Sequence, residues 1–148
     1  MTELTDSIID FEEIKLNRLG EFKDTTTDAV IISMILKENY PYVNTMTYQQ
    51  IIEANARYYT ITYEGKLVGC IGMSLPTTQL RAVFIRSFCL LPEYRFNGLG
   101  EKILKNLKDI TPKLNPLYLN IKEFNKPMQS LVKKLGGIET DDKGVWKI

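Results

Sequence analysis

The apolar run Ala82-Val83-Phe84-Ile85-Arg86-Ser87-Phe88-Cys89-Leu90-Leu91 passes through Pro92-Glu93-Tyr94-Arg95-Phe96-Asn97-Gly98 into Leu99-Gly100-Glu101, where an amphipathic helical pattern begins. A long strand, a basic turn containing glycine and a helix N-terminus in that order commit the middle of the chain to a mixed α and β architecture. They also make a place for an anion. Gly98 and Gly100 have no side chains to block a ligand. The helix opening near Leu99 points unpaired N–H groups and a partial positive charge at whatever precedes it, and Arg95 adds a full charge.

The rest of the chain divides around this turn. Phe11 to Leu19 reads as a first strand, with Ile14, Leu16 and Arg18 alternating against Lys15 and Asn17. Thr25-Thr26-Thr27-Asp28 offers N-caps for a helix through Ala29 to Lys37, ended by Pro41, and Thr47 caps a second short helix through Ile51, Ile52 and Ala54. Tyr58 to Tyr63 and Lys66 to Leu75 form a hairpin around Glu64-Gly65. Gly69 and Gly72 in its second strand predict a bulge or close approach of another backbone. Pro76 to Gln79 makes the next turn. After the anion cradle, Leu99, Ile103, Leu104, Leu107 and Ile110 share one helical face, and Glu101 is expected to turn outward toward Lys105. Leu117, Leu119 and Ile121 alternate in a further strand. A helix follows from near Asn125 to Leu135, stopped by Gly136-Gly137, and a last hairpin turns at Asp141 to Gly144.

The chain of 148 residues fits one domain, with 44% hydrophobic and 25% charged residues in a balance typical of folded soluble proteins. Its acidic start shows no signal-peptide pattern and no apolar run reaches membrane-spanning length, so a cytoplasmic protein with no membrane partner is expected. The absence of histidine and the presence of only two cysteines, Cys70 and Cys89, argue against a metal site or a histidine-based triad, and both thiols read as buried and free. Charge is unevenly spread. Residues 1–50 hold nine acidic and four basic side chains, leaving nine acidic and fifteen basic for the remainder, the part that contains the cradle. That asymmetry suits a polyanionic ligand, although Lys102, Lys105 and Lys108 equally read as a solvated helix face.

In order, these segments resemble the Gcn5-related N-acetyltransferase (GNAT) family from about Phe11 to the C-terminus. Pro92 to Gly100, with its Arg-x-x-Gly-x-Gly pattern, is similar to the family's acetyl-coenzyme A pyrophosphate loop. Glu64 to Gly69 resembles its second hairpin, and Leu117-x-Leu119-x-Ile121-x-x-x-Asn125 with Leu131 and Lys134-Leu135-Gly136 resembles its closing strand–helix unit. The resemblance implies an α/β (α+β) fold in a single domain over residues 1–148: a mixed, mostly antiparallel sheet with splayed central strands, flanked by about four helices. It implies acetyl-CoA as co-substrate in the splay. Leu90 would face the pantetheine arm, Arg95 and the N–H groups of Phe96, Asn97, Gly98, Leu99, Gly100 and Glu101 would hold the pyrophosphate, and Asn125 would stand near the coenzyme A arm. Asn125 is also a good helix N-cap in its own right.

The departures from the family pattern concern chemistry. Where the family often has a tyrosine that protonates the departing thiolate, this chain has Val132, and the aromatic that commonly follows the glycine is replaced by Gly137. The strand from Ala82 to Leu91 contains no carboxylate to act as a base. Ser87 and Asn120 only orient water, Tyr58, Tyr59 and Tyr118 read first as core or rim aromatics, and Glu123 reads as a surface carboxylate. No catalytic residue is assigned. The expected function is transfer of acetyl from acetyl-CoA to a primary amine of a small molecule or peptide by direct attack. The alternative is a non-catalytic coenzyme A-binding or interaction module. A nucleic-acid partner is disfavoured, and a homodimer through exposed strands, the final one included, is an option. The acceptor would be shaped by the first two helices, the loop from Pro41 to Met46 and the last hairpin. The acidic N-terminal part favours a cationic amine.

Overall fold

Aromatic and β-branched residues fill the central strands on both sides, so these strands need a layer of helices on each face. The computed structural model describes residues 2–77, 81–112 and 115–148. Its elements run β1 (Ile8–Phe11), β2 (Ile14–Arg18), α1 (Thr25–Glu38), α2 (Tyr48–Glu53), β3 (Arg57–Tyr63), β4 (Lys66–Ser74), β5 (Val83–Leu90), α3 (Leu99–Ile110), β6 (Leu117–Asn120), α4 (Lys126–Lys134), β7 (Ile138–Glu139) and β8 (Val145–Lys147). A single turn of 3-10 helix, Pro92–Tyr94, links β5 to the glycine turn. The strands form one sheet in the order β1-β2-β3-β4-β5-β6-β8-β7. Only the β5–β6 pair is parallel. The fold is therefore mixed and mostly antiparallel, with four α-helices among the described residues, as expected.

Strand alternation sorts the core into two layers. Tyr59, Ile61, Ile71, Met73, Ile85 and Phe88 point to one face, where they meet Leu99, Ile103, Leu104 and Leu107 of α3 and Val132 of α4. Tyr58, Cys70 and Cys89 point to the other, under Ala29, Ile32, Ile35 and Leu36 of α1 and Ile51 of α2. Each fully buried aliphatic side chain contributes about 1.5–3 kcal/mol. The apolar face of α3 thus anchors the helix whose N-terminus bears the cradle.

Three expectations change. The first strand is a hairpin: Phe11 ends β1 and faces Ile14 of β2 across Glu12-Glu13, with Glu12 at φ 68° and its N–H donating to Asp10 Oδ1 at 2.8 Å. Two glutamates carry no turn signature, so the reversal was not legible. Secondly, α1 is capped by Asp24, whose carboxylate accepts from the Thr27 N–H at 2.9 Å and the Thr27 hydroxyl at 2.8 Å. Asp28 is buried instead, accepting the N–H groups of Gly20 and Lys23 at 2.8 Å each. Thirdly, the last strand in sequence, β8, lies inside the sheet between β6 and β7, so the free edge at that end is β7. Thr47 caps α2 as expected, in a reciprocal box with Gln50. The turn expected at Pro76 to Gln79 extends into residues outside those described.

Gly69 and Gly72 answer to both expectations: β4 bulges at Val68 beside Gly69, where Ile61 pairs with Gly69 and Thr62 with Leu67, and both glycines meet close neighbours. A Cβ on Gly69 would lie 2.3 Å from the Cys89 carbonyl oxygen, and one on Gly72 would lie 2.8 Å from the Tyr58 ring. Opposite them β5 bulges. Gly72 pairs with Arg86 and Cys70 with Cys89, so Ser87 and Phe88 together face Ile71, and Ser87 takes φ 57° to absorb the extra residue.

Candidate active site

β5 and β6 are paired only at Val83–Leu117, Phe84–Tyr118 and Ile85–Leu119, and beyond Ile85 they separate. The separation opens into a cleft of about 260 Å³ lined by β5 residues Phe88, Cys89 and Leu90, by Arg95, Phe96, Gly98 and Gly100 of the glycine turn, and by Asn125, Pro127, Met128 and Leu131 at the start of α4. Asn39, Tyr42 and Val43, from the end of α1 and the loop after it, close the remaining side. Six of the nine residues expected to bind the co-substrate, Leu90, Arg95, Phe96, Gly98, Gly100 and Asn125, thus share one cavity. Asn97, Leu99 and Glu101 do not line it.

The turn is built as an anion cradle. Gly98, the N-cap of α3, sits at φ 84°, a conformation that other residues enter with strain, and a Cβ there would meet nothing within 4 Å. No side chain caps α3 at that position. The helical ladder starts with the Lys102 N–H donating to the Gly98 carbonyl at 3.1 Å, so the N–H groups of Gly98, Gly100 and Glu101 precede it. Asn97 Oδ1 accepts the Leu99 N–H at 3.2 Å, shaping the turn from behind, while the Leu99 side chain joins the core. Phe96 is 88% exposed, with φ 63°. An open, left-handed glycine before free helical N–H groups, with a guanidinium beside it, fits a diphosphate.

Arg95 is held on two sides. Its Nε donates to the Leu90 carbonyl at 3.2 Å and a terminal nitrogen donates to Asn39 Oδ1 at 2.6 Å. Glu101 does not pair with Lys105. Its carboxylate accepts from Lys134 at 3.2 Å, because the last turn of α4 lies beside the first turn of α3 and brings that lysine within reach. This neutralises an acid that would otherwise oppose an anion. Asn125 caps α4 through Oδ1, which accepts the Met128 N–H at 3.3 Å, and also lines the cleft.

The groups considered for proton transfer are dispersed. No carboxylate lines the cleft among the described residues. Glu123 pairs with Lys143 at 3.6 Å on the surface. Tyr58 is buried with its hydroxyl 3.1 Å from the Met46 sulfur and 3.4 Å from Ser87 Oγ, next to the β5 bulge. Tyr59 lies wholly in the core and Tyr118 stacks on Phe84 at 5.3 Å between ring centroids. Cys70 and Cys89 are free, their sulfurs 3.7 Å apart, and the shared hydrogen bond followed by burial pushes the Cys70 thiol well above its ordinary pKa, the opposite of a nucleophile's setting. Val132 is fully buried in the core rather than in the cleft. A Cβ on Gly137 would lie 2.3 Å from its Cγ1 and 2.8 Å from its carbonyl oxygen, so the two departures noted in the sequence are one packing arrangement. Asn39 was missed by sequence reasoning, its only local signal being its suitability for ending a helix.

The model of the acetyltransferase (GNAT) family matches residues 25–137. No curated protein matches the chain. Among solved structures, the chain is similar to the ribosomal-protein-S5-alanine acetyltransferase of Vibrio fischeri, with 18% identity, a TM-score of 0.65, and coverage of 90% of this chain and 84% of that one. The Arabidopsis thaliana Naa50 protein in complex with a bisubstrate analogue, CoA-Ac-MVNAL, shows 18% identity and a TM-score of 0.66 over 91% of this chain and 95% of its own. A chimera of the spermidine N-acetyltransferase SpeG from Vibrio cholerae with hSSAT shows 16% identity and a TM-score of 0.67 over 92% and 93%. At these identities the likenesses establish the fold.

Proposed function

The chain belongs to the GNAT acetyltransferase family, which uses acetyl-CoA, and from that premise we propose that the cleft between β5 and β6 binds acetyl-CoA and delivers its acetyl group directly to a primary amine. The observation that carries the reading is the convergence of the β5 main chain, Arg95 and the open N-terminus of α3 on one cavity. In it the pyrophosphate would take the N–H groups of Gly98, Gly100 and Glu101 and the free edge of Arg95. The pantetheine arm would lie along β5 at Leu90, and Asn125 would flank it at the start of α4. The thioester supplies an activated acyl group, so this chain's share of the work is positioning, which accounts for a large part of such rates. No carboxylate lines the cleft among the described residues, so water would take the amine proton and supply one to the departing coenzyme A thiolate as the amide C–N bond replaces the thioester C–S bond. The paired buried thiols suit a reducing compartment such as the cytosol.

For the acceptor, the loop carrying Tyr42 and Val43 lines the cleft, with the Tyr42 ring 5.9 Å from that of Phe124 just before α4. The names of similar proteins refer to spermidine and to a ribosomal protein's alanine, so polyamines and peptide N-termini both belong in the screen. Calorimetric titration with acetyl-CoA tests the reading, comparing wild type with Gly98→Asp. The added side chain has open space, and its left-handed backbone costs about 1–2 kcal/mol, so the variant is expected to stay folded while its charge expels the diphosphate. Binding by wild type and none by the variant supports the site. Absence of binding by wild type overturns it. A second reading, binding without turnover, is favoured by the burial of Val132 and the lack of a carboxylate in the cleft. It would show as tight coenzyme A binding with no product from any amine.

A further inference from the structure

Asn39 is buried, ends α1, and ties that helix end and the loop after it to Arg95, which lies far along the chain. Its Nδ2 donates to the Ile35 carbonyl at 2.8 Å, fixing the amide against the last turn of α1. Its Oδ1 accepts from Arg95 at 2.6 Å. Its carbonyl accepts the N–H groups of Tyr42 at 2.9 Å and Val43 at 3.4 Å, the two loop residues that line the cleft. The guanidinium is therefore clamped between the end of α1 and the Leu90 carbonyl, with Nε and one terminal N–H committed. Of its five N–H donors, three remain for a ligand.

We propose that Asn39 is a positioning residue for coenzyme A: it holds the Arg95 guanidinium in its diphosphate-binding orientation before the ligand arrives. An unclamped arginine has several rotatable bonds to freeze on binding, and fixing it in advance removes that cost from association. The clamp also resists rearrangement, since releasing Arg95 would leave the buried Asn39 oxygen without a partner. The proposal rests on the acetyl-CoA reading of the cleft. It adds that the acceptor-side loop and the co-substrate cradle are fixed by one residue.

The test is coenzyme A titration of wild type, Asn39→Leu, Asn39→Ser and Arg95→Ala, with thermal melting of each. Leucine removes both side-chain bonds. Serine can bond back to the Ile35 carbonyl but is too short to reach Arg95, so it separates helix-ending from positioning and serves where the leucine variant fails to fold. Both are expected to raise the dissociation constant about tenfold, the worth of one hydrogen bond to a charged group, with the serine variant melting near wild type. Added to Arg95→Ala, Asn39→Ser is expected to change the affinity by less than about twofold, because its effect passes through the arginine. Wild-type affinity in Asn39→Ser overturns the proposal, as does a full tenfold loss in the Arg95→Ala background. A wild-type protein that does not bind coenzyme A instead removes the reading of the cleft itself.

Discussion

Tyr59 carries its hydroxyl into the interior of the sheet, where it has no well-aligned hydrogen bond among the described residues and Arg57 is a polar side chain that faces it. Burial raises its pKa, opposed by the charges of Arg18 and Arg57. The folded state therefore holds this proton more tightly than the unfolded chain. Its contribution is full below the ordinary tyrosine pKa of about 10 and is lost as pH climbs from there through the raised value. Tyr59→Phe should flatten that alkaline decline and, by removing an unpaired buried group, leave neutral-pH stability unchanged or up to about 1 kcal/mol higher. Denaturant melts from about pH 7 to pH 11 measure both effects, and a clear loss at neutral pH would mean that the hydroxyl is bonded. Val132 poses the opposite case. Restoring the tyrosine common in the family, Val132→Tyr, should not increase turnover. The side chain would enter a filled core against Gly137 and should cost at least about 1–3 kcal/mol, visible as a lowered melting temperature.

Among the elements, α3 was the most legible, because its start, its apolar face and its glycines are local properties of one continuous segment. The β1–β2 hairpin was not, since its turn is two glutamates and its evidence is pairing rather than composition. The residues of the glycine turn that line the cleft could be read for the same reason that α3 could. Asn39 could not, because its partner Arg95 is 56 residues away and only the fold brings them together. The same applies to Glu101, whose local partner Lys105 was the natural expectation while α4 supplied the actual one. The link from β2 into α1 is a shorter-range device hidden in a helix-cap sequence. Asp28 closes it by accepting two main-chain N–H groups in a buried setting. Asp28→Ala should therefore cost about 2 kcal/mol or more, since two hydrogen bonds to a charged group are lost at once, and chemical denaturation should report it as a lowered midpoint.

For the whole molecule, helices cover both faces of the sheet, and inside it the ladder is interrupted where β5 and β6 part. Saturating coenzyme A should slow hydrogen exchange at the main-chain amides from Arg86 to Leu90 and at Gly98, Gly100 and Glu101. It should also stabilise the fold by about 2.7 kcal/mol at a hundredfold excess over the dissociation constant. Exchange unchanged at those positions would place the ligand elsewhere. The parting of β5 and β6 has a further consequence. A sheet normally has its reactive borders outside, where any passing chain can add a strand and begin aggregation. Here a border lies within the sheet, closed at one end where Val83 to Ile85 still pair with β6 and walled by α3 and α4. A foreign polypeptide would have to thread that slot with its side chains attached, whereas an unbranched arm bearing amides needs only its own width. The stretch of β5 that β6 leaves unpaired is thus open to a slender ligand and hidden from other chains.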